Sequence, residues 1–259
     1  MESSYYQGPV PYYLMDPSQI LPDPARNVFN SVEALFANST EINFSLSRSG
    51  YCTVDFEFKF FRDENISPES VILEGKASVE YSFLLTTPWA PNVNITMRKP
   101  NESEFGKTFV LAPGSFSSVF LGNQYEGRIQ PFTRCFCCSC ANILDKNEKL
   151  LYTSEPPSCQ FSFAEAIHNC FCLRPLYDIR MVTMYTADES RQAAFSLWQK
   201  SSCGVLCSCQ AFTGCCSGLC IKFCPHTFYY RIEKSGSTFP GGMLYILQAA
   251  LYFAITSKL

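Results

Sequence analysis

Apolar and polar residues alternate along most of this chain, with the period of two that is typical of a half-buried β-strand. The clearest run covers residues 54–60, where Val54, Phe56, Phe58 and Phe60 are separated by charged residues. Shorter runs predict further strands at 42–46, 79–85, 93–97, 109–111 and 119–121.

The second half of the chain repeats the order strand, polar turn, strand. Residues 142–144 and 150–152 flank a turn at 145–148, and residues 177–185 and 194–198 flank another at 187–189. Residues 227–232 open a third unit. A chain that is mostly strand with few helices indicates a β-sandwich or a closed β-barrel.

Two segments have helical character. Between residues 27 and 37 the apolar positions recur at the spacing of an amphipathic helix. Residues 243–255 are apolar except for Gln248. A membrane-spanning helix needs about 20 apolar residues, so this pattern favours a buried core helix over a marginal span. The main apolar positions of the helix predicted over 243–256 are Met243, Leu244, Ile246, Leu247, Leu251, Phe253 and Ile255.

Cysteine is the most unusual feature of the composition. The chain has 15 cysteines, and all but Cys52 lie between Cys135 and Cys224. An odd number argues against a fully paired disulfide framework. Adjacent cysteines among apolar residues are good S-acylation sites, so palmitate is the modification we expect, and several acyl chains together make a stable anchor. The candidates are Cys135, Cys137, Cys138, Cys140, Cys203, Cys207, Cys209, Cys215, Cys216, Cys220 and Cys224.

Zinc, disulfides and buried thiols are the alternative interpretations of these cysteines. Cys135 with Cys138, or Cys137 with Cys140, has the spacing of zinc ligands, and His226 lies close to Cys224. These pairs overlap, whereas a structural zinc site uses two separate pairs. The identity of any metal stays open. The five N-x-S/T sequons favour export and disulfides; they begin at Asn38, Asn43, Asn65, Asn94 and Asn101.

The N-terminus and the charge balance narrow the location and the partners. Residues 1–28 are rich in Pro and Tyr and predict a disordered tail, or a docking segment for a protein partner. The first residues have neither a basic nor an apolar region of a signal peptide, which favours the cytoplasmic side. The formal net charge is −3, so no basic excess points to nucleic acid.

Catalytic patterns are weak. His168 and His226 are the two histidines, and a Cys–His pair would need one of them beside a reactive thiol. Neither a phosphate-binding glycine loop nor a metalloprotease motif occurs. The sequence therefore identifies no catalytic residue.

Four stretches, taken in order and spacing, resemble the phospholipid scramblase family over residues 29–259. They are residues 29–46; residues 127–131 with 142–152 and Cys159; residues 173–181 with Asp188 and 194–198; and residues 243–256. The resemblance implies a tubby-like fold, in which a closed antiparallel β-barrel of two similar halves surrounds a hydrophobic C-terminal helix. It also implies a membrane-associated protein that moves phospholipids between leaflets.

The chain departs from that family in two places. The family carries an acidic calcium-binding loop before its last helix, whereas residues 226–240 contain Glu233 as their one carboxylate. Calcium needs several oxygen ligands, so calcium dependence is doubtful. A second alignment with the family is possible. Its first half, where its acylated cysteines lie, also resembles residues 173–175 together with Cys203, Cys207 and Cys209. Two alternative functions remain. The chain could be an acylated lipid- or partner-binding module without transfer activity, or an exported Cys-rich glycoprotein or zinc protein.

Overall fold

The computed structural model is a closed β-barrel of twelve antiparallel strands with one helix before the first strand and one after the last. The fold class expected from the sequence, a barrel with a hydrophobic C-terminal helix, is confirmed. The structure describes residues 24–37, 39–49, 55–62, 67–80, 92–102, 104, 107–111, 116–122, 124–135, 138–155, 178–200, 227–236 and 242–257.

Each strand pairs with its neighbours in sequence, and the first pairs with the last to close the barrel. The closing pair keeps apolar residues opposite each other, for instance Phe44 with Tyr230. The α-helices are α1 (Pro24–Ala37) and α2 (Met243–Thr256), and a short 3-10 helix (Pro68–Ser70) precedes β3. The strands are β1 (Glu41–Ser49), β2 (Asp55–Phe61), β3 (Val71–Glu80), β4 (Asn92–Arg98), β5 (Lys107–Leu111), β6 (Ser117–Leu121), β7 (Gln124–Cys135), β8 (Cys138–Asp145), β9 (Leu150–Glu155), β10 (Ile179–Thr186), β11 (Ala193–Gln199) and β12 (Thr227–Lys234).

This up-and-down order divides the connections between the two ends of the barrel. The connections that leave the odd-numbered strands β1 to β11 all start and finish at one end, which we call the cysteine end. The connections that leave the even-numbered strands are at the other end. Since α1 precedes β1 and α2 follows β12, we call this second end the α1 end.

The core consists of α2 and the inward-facing residues of the strands. Residues 243–255 are buried on every side of the helix, in the same apolar cluster as the barrel wall. Aromatic rings pack next to it: Phe44 stacks on Tyr230 with centroids 4.8 Å apart and contacts Phe60 at 5.0 Å. The hydrophobic helix therefore fills the interior of the barrel.

Helix α1 closes its end of the barrel. Phe36 is buried and meets the edge of the Phe60 ring at 6.4 Å. Lys234 Nζ donates a hydrogen bond of 2.9 Å to the carbonyl of Phe36. The helix begins at Pro24, not at residue 27 as predicted, so the predicted disordered tail of residues 1–28 overlaps the first turn. Proline is favoured there because its missing N–H has no helical acceptor.

Two strands differ from the predicted pattern. The predicted run at 79–85 overlaps only the end of β3, and residues 81–91 lie outside the described residues. β3 starts at Val71 and continues through the polar stretch around Gly75. β7 was not predicted, because Gly127 and Pro131 interrupt its alternation.

Candidate membrane-facing end

Every cysteine of the chain belongs to a connection at the cysteine end or to the strand tips beside it. Cys52 lies between β1 and β2, and four cysteines lie in the β7–β8 hairpin. Three more lie between β9 and β10, and seven lie between β11 and β12. An antiparallel barrel whose strands pair in sequence order attaches all these segments at the same end. The segments that contain the cysteines are therefore all joined to the barrel at this end.

The β7–β8 hairpin is the part of this cysteine set that the structure describes. Cys135 pairs with Cys138 across the end of the hairpin. Cys140 lies two residues further along β8, and its side chain has 0% exposure. Its neighbour Ala141 faces the core, so Cys140 belongs to the outer side of the wall. A buried thiol is a poor acceptor for an acyl group, and this position does not suit the predicted modification.

Most of the predicted site residues lie outside the described residues. The structure consequently does not test acylation, zinc or disulfides at those positions. They are Cys137, Cys203, Cys207, Cys209, Cys215, Cys216, Cys220, Cys224, His168 and His226.

A row of cationic and aromatic side chains lies near the cysteine end, and sequence reasoning missed it. Arg180 and Arg231 flank the ring of Trp198, with guanidinium-to-centroid distances of 5.8 and 5.6 Å. The three residues are direct cross-strand partners on β10, β11 and β12. They are separated by up to about fifty residues in sequence, and only strand pairing brings them together, so no local motif marked them.

The row continues onto β1 with Asn43, which pairs with Arg231. Three of its buried atoms have no hydrogen-bond partner among the described residues: Trp198 Nε1, Arg231 Nε and Asn43 Oδ1. Arg231 is neutralised only loosely, with Glu41 and Asp178 each 3.7 Å away. The row thus combines an aromatic ring, two guanidinium groups and three buried polar atoms for which the described part of the chain supplies no partner.

The predicted core helix is confirmed with the predicted boundaries. Its apolar residues Met243, Leu244, Ile246, Leu247, Leu251, Phe253 and Ile255 are all buried in the core cluster. Tyr245 donates a hydrogen bond from its hydroxyl to the backbone carbonyl of Glu126, and burial raises the pKa of that hydroxyl. Within the described part of the chain, no helix has both the length and the apolar character to cross a membrane.

Gln248 is the polar exception in α2. Its side chain has 0% exposure, and its Oε1 has no hydrogen-bond partner among the described residues. Its Nε2 lies 3.9 Å from the sulfur of Met97 on β4, which is a weak acceptor. This amide therefore costs stability at the centre of the barrel.

The sequons occupy different environments. Asn43 is 2% exposed in β1, which makes it a poor glycan acceptor in the folded barrel. Asn94 is half-buried in β4, and Asn101 is exposed in a turn with φ of 63°. Asn38 and Asn65 lie outside the described residues.

The described residues contain no cluster of three or more side chains suited to hold a metal ion. Comparison with protein-family models, with curated proteins and with solved structures gives no match for this chain. The fold and the end of the barrel at which the cysteine-containing segments are joined are accordingly the features that bear on function.

Proposed function

We propose that this chain is a membrane-associated protein of the cytoplasmic side that perturbs or moves phospholipids, with its cysteine end towards the bilayer. The observation that carries the proposal is that every segment containing a cysteine is joined to the barrel at the same end. One acyl chain binds a membrane only weakly, whereas several hold it stably. Palmitate on several cysteines of one end would fix both the attachment and the orientation.

The row of Arg180, Trp198 and Arg231 supports that orientation. Tryptophan is enriched at membrane–water interfaces, where its ring is apolar and its N–H is polar. Guanidinium groups bind phosphate oxygens with two hydrogen bonds at once. Arg180 is the exposed arginine of the row and would lie beside the lipid headgroups when the cysteine end faces the bilayer.

The filled interior limits how lipids can be affected. Helix α2 occupies the barrel, so a phospholipid has no place inside it in this conformation. Any lipid movement would follow the outer wall or come from local disturbance of the bilayer. The same feature favours the second candidate function, an acylated module that binds lipids or a partner without transferring lipids.

Attachment is tested by acyl labelling. The full chain from a eukaryotic expression host is treated with and without hydroxylamine, which cleaves thioesters, and the released thiols are identified by mass spectrometry. We expect release at several cysteines of the 203–224 segment and none at Cys140. If no thiol is released and the cysteines are instead paired or metal-bound, the anchoring proposal is wrong. An exported glycoprotein or a zinc protein would then be the better interpretation.

Lipid movement is tested with vesicles that carry a fluorescent phospholipid in one leaflet. The acylated full chain is expected to accelerate exchange between leaflets, and Arg180→Gln is expected to weaken the effect. Arg62→Gln is the matched control, because Arg62 is an exposed arginine at the α1 end. Flotation of the protein with vesicles, but without any transbilayer movement, would select the binding module. If the protein neither floats with the vesicles nor accelerates lipid exchange, both functions are excluded.

A further inference from the structure

Apolar side chains are exposed on one wall of the barrel, formed by β6 to β9. Among the described residues, four large apolar side chains are exposed, and three of them belong to this wall: Phe116, Tyr125 and Leu150, at 49, 40 and 39%. The fourth, Leu35, lies on α1. Exposed apolar residues grouped on one side usually mark a contact surface.

Strand register joins these residues into one surface. Leu144 pairs with Leu150 on one side and with Arg128 on the other. The ring of Phe116 lies 4.4 Å from the guanidinium of Arg128. We call this surface the aromatic wall patch, which comprises Phe116, Phe120, Tyr125, Arg128, Leu144 and Leu150.

Two aromatic rings form the α1 side of the patch. Phe120 and Tyr125 meet edge to face with centroids 5.9 Å apart. Tyr125 is the second residue of β7, and Leu150 is the first residue of β9, so both are at the α1 end. Phe116 immediately precedes β6, so the patch extends along the wall from the α1 end towards the β5–β6 connection.

The N-terminal segment reaches the barrel directly beside this patch. Helix α1 begins at Pro24, and Arg26 in its first turn forms an ion pair with Glu126 on β7. Glu126 follows Tyr125 in sequence. Residues 1–23 thus join the described part of the chain within a few residues of the exposed Tyr125 ring.

The composition of the segment matches the surface. It contains four tyrosines and four prolines, including the run Pro9-Val10-Pro11-Tyr12-Tyr13-Leu14. Proline-rich sequences with aromatic and aliphatic side chains bind to aromatic-lined surfaces at a small entropic cost, because the extended helix is formed in advance. We infer that residues 1–23 dock on the aromatic wall patch of the same chain, through Tyr12, Tyr13 and Leu14.

The distances allow this arrangement. An extended proline-rich chain advances about 3.1 Å per residue, so the segment from Tyr13 to Pro24 reaches roughly 34 Å. The four strands of the wall span about 14 Å, at about 4.8 Å between neighbours. The docked residues can therefore lie over any strand of the patch. The inference does not depend on lipid binding.

Photocrosslinking in the full chain tests the docking. A benzophenone amino acid replaces Tyr125, irradiation is done on dilute protein, and the adduct is identified by mass spectrometry. The expected product joins the probe at position 125 to a peptide from residues 1–23 of the same chain. The matched control carries the probe at Leu35, which is 43% exposed at the same end of the barrel but outside the patch. We expect the yield of tail adduct to be about fivefold lower there.

A tail variant separates docking from mere proximity, and it leaves the barrel residues unchanged. Tyr12→Ser with Tyr13→Ser should lower the yield at Tyr125 about fivefold, since two ring contacts are lost. The reaction is repeated with vesicles of phosphatidylcholine and phosphatidylserine. Three outcomes would overturn the inference. The probe could react with lipid, or only with a second chain. The yield of tail adduct could also be the same at both probe positions and with or without the tyrosines.

Discussion

The Glu33 side chain in α1 accepts a hydrogen bond of 3.2 Å from the backbone N–H of Met243, the first residue of α2. The first N–H groups of a helix have no partner within the helix, and a carboxylate there also interacts favourably with the helix dipole. The residue before the helix, Gly242, has φ of +81° and contributes no capping side chain. A residue 210 positions away therefore caps the core helix.

We expect Glu33→Ala to lower the free energy of unfolding by about 1–2 kcal/mol, since both the cap and its charge are lost. Glu33→Gln keeps an acceptor and should cost less. Urea denaturation followed by circular dichroism measures the difference. Glu69→Ala, at an exposed position, is the control and should change stability by less than about 0.5 kcal/mol. Equal effects at the two positions would contradict the capping role.

Gln248 and Tyr245 give opposite predictions on the same helix. Gln248→Met has a similar shape and removes a buried acceptor without a described partner, so we expect stability to rise by about 1 kcal/mol. Tyr245→Phe removes a hydroxyl that is hydrogen-bonded to Glu126 and leaves that carbonyl without its donor, so stability should fall by about 1 kcal/mol. The melting temperatures of both variants, compared with that of the unchanged chain, test the two predictions. A loss of stability in Gln248→Met would mean that the amide has a partner.

Gly127 lies where two strands approach closely. A Cβ atom at this position would be 2.2 Å from the carbonyl oxygen of Leu144 on β8, and backbone cannot move aside easily. Gly127→Ala should therefore destabilise the barrel by about 2 kcal/mol or more. Ser118→Ala, on the outer face of the adjacent strand, is the control for a small substitution and should have little effect. Equal melting temperatures for the two variants would show that the β7–β8 pairing can widen.

Buried tyrosines predict a loss of stability at alkaline pH. Burial raises the pKa of Tyr152, Tyr245 and Tyr252 above the ordinary value of 10.0, because the phenolate is poorly solvated in the core. With the folded pKa raised, this contribution is complete below pH 10 and decreases as pH rises further. Melting temperatures from pH 8 to 11 should fall beyond pH 10, and Tyr152→Phe should fall less. Equal losses of melting temperature above pH 10 in the unchanged chain and in Tyr152→Phe would contradict this prediction.

The order of apolar, polar and turn-forming residues was sufficient to predict the elements that have a strong local sequence signal. The turn at 145–148 is confirmed, and Asp145 Oδ1 accepts hydrogen bonds from the backbone N–H groups of Asn147 and Lys149. The apolar helix is confirmed because 13 nearly continuous apolar residues are buried on every side. Alternation alone did not separate a sandwich from a barrel, since closure depends on β1 meeting β12 across the whole length of the chain.

The candidate site could be predicted from the sequence less completely than the fold. The clusters of cysteines are visible there, but the strand order is needed to show that their segments join the barrel at one end. The burial of Cys140 was missed because its neighbours Ser139 and Asn142 are polar and give no sign of enclosure. Arg180, Trp198 and Arg231 form their row through pairing across three strands, and such pairing has no local sequence signal.

The pairing of β1 with β12 also has a consequence for synthesis on the ribosome. Ser47 and Thr227, which share a hydrogen bond across this seam, are 180 residues apart. Until β12 and α2 have left the exit tunnel, β1 has one uncovered edge and the growing sheet has no helix to cover its apolar face. Exposed strand edges and apolar faces favour aggregation, and non-local pairing folds slowly. Nascent chains of this protein should therefore require a chaperone until β12 and α2 have been made.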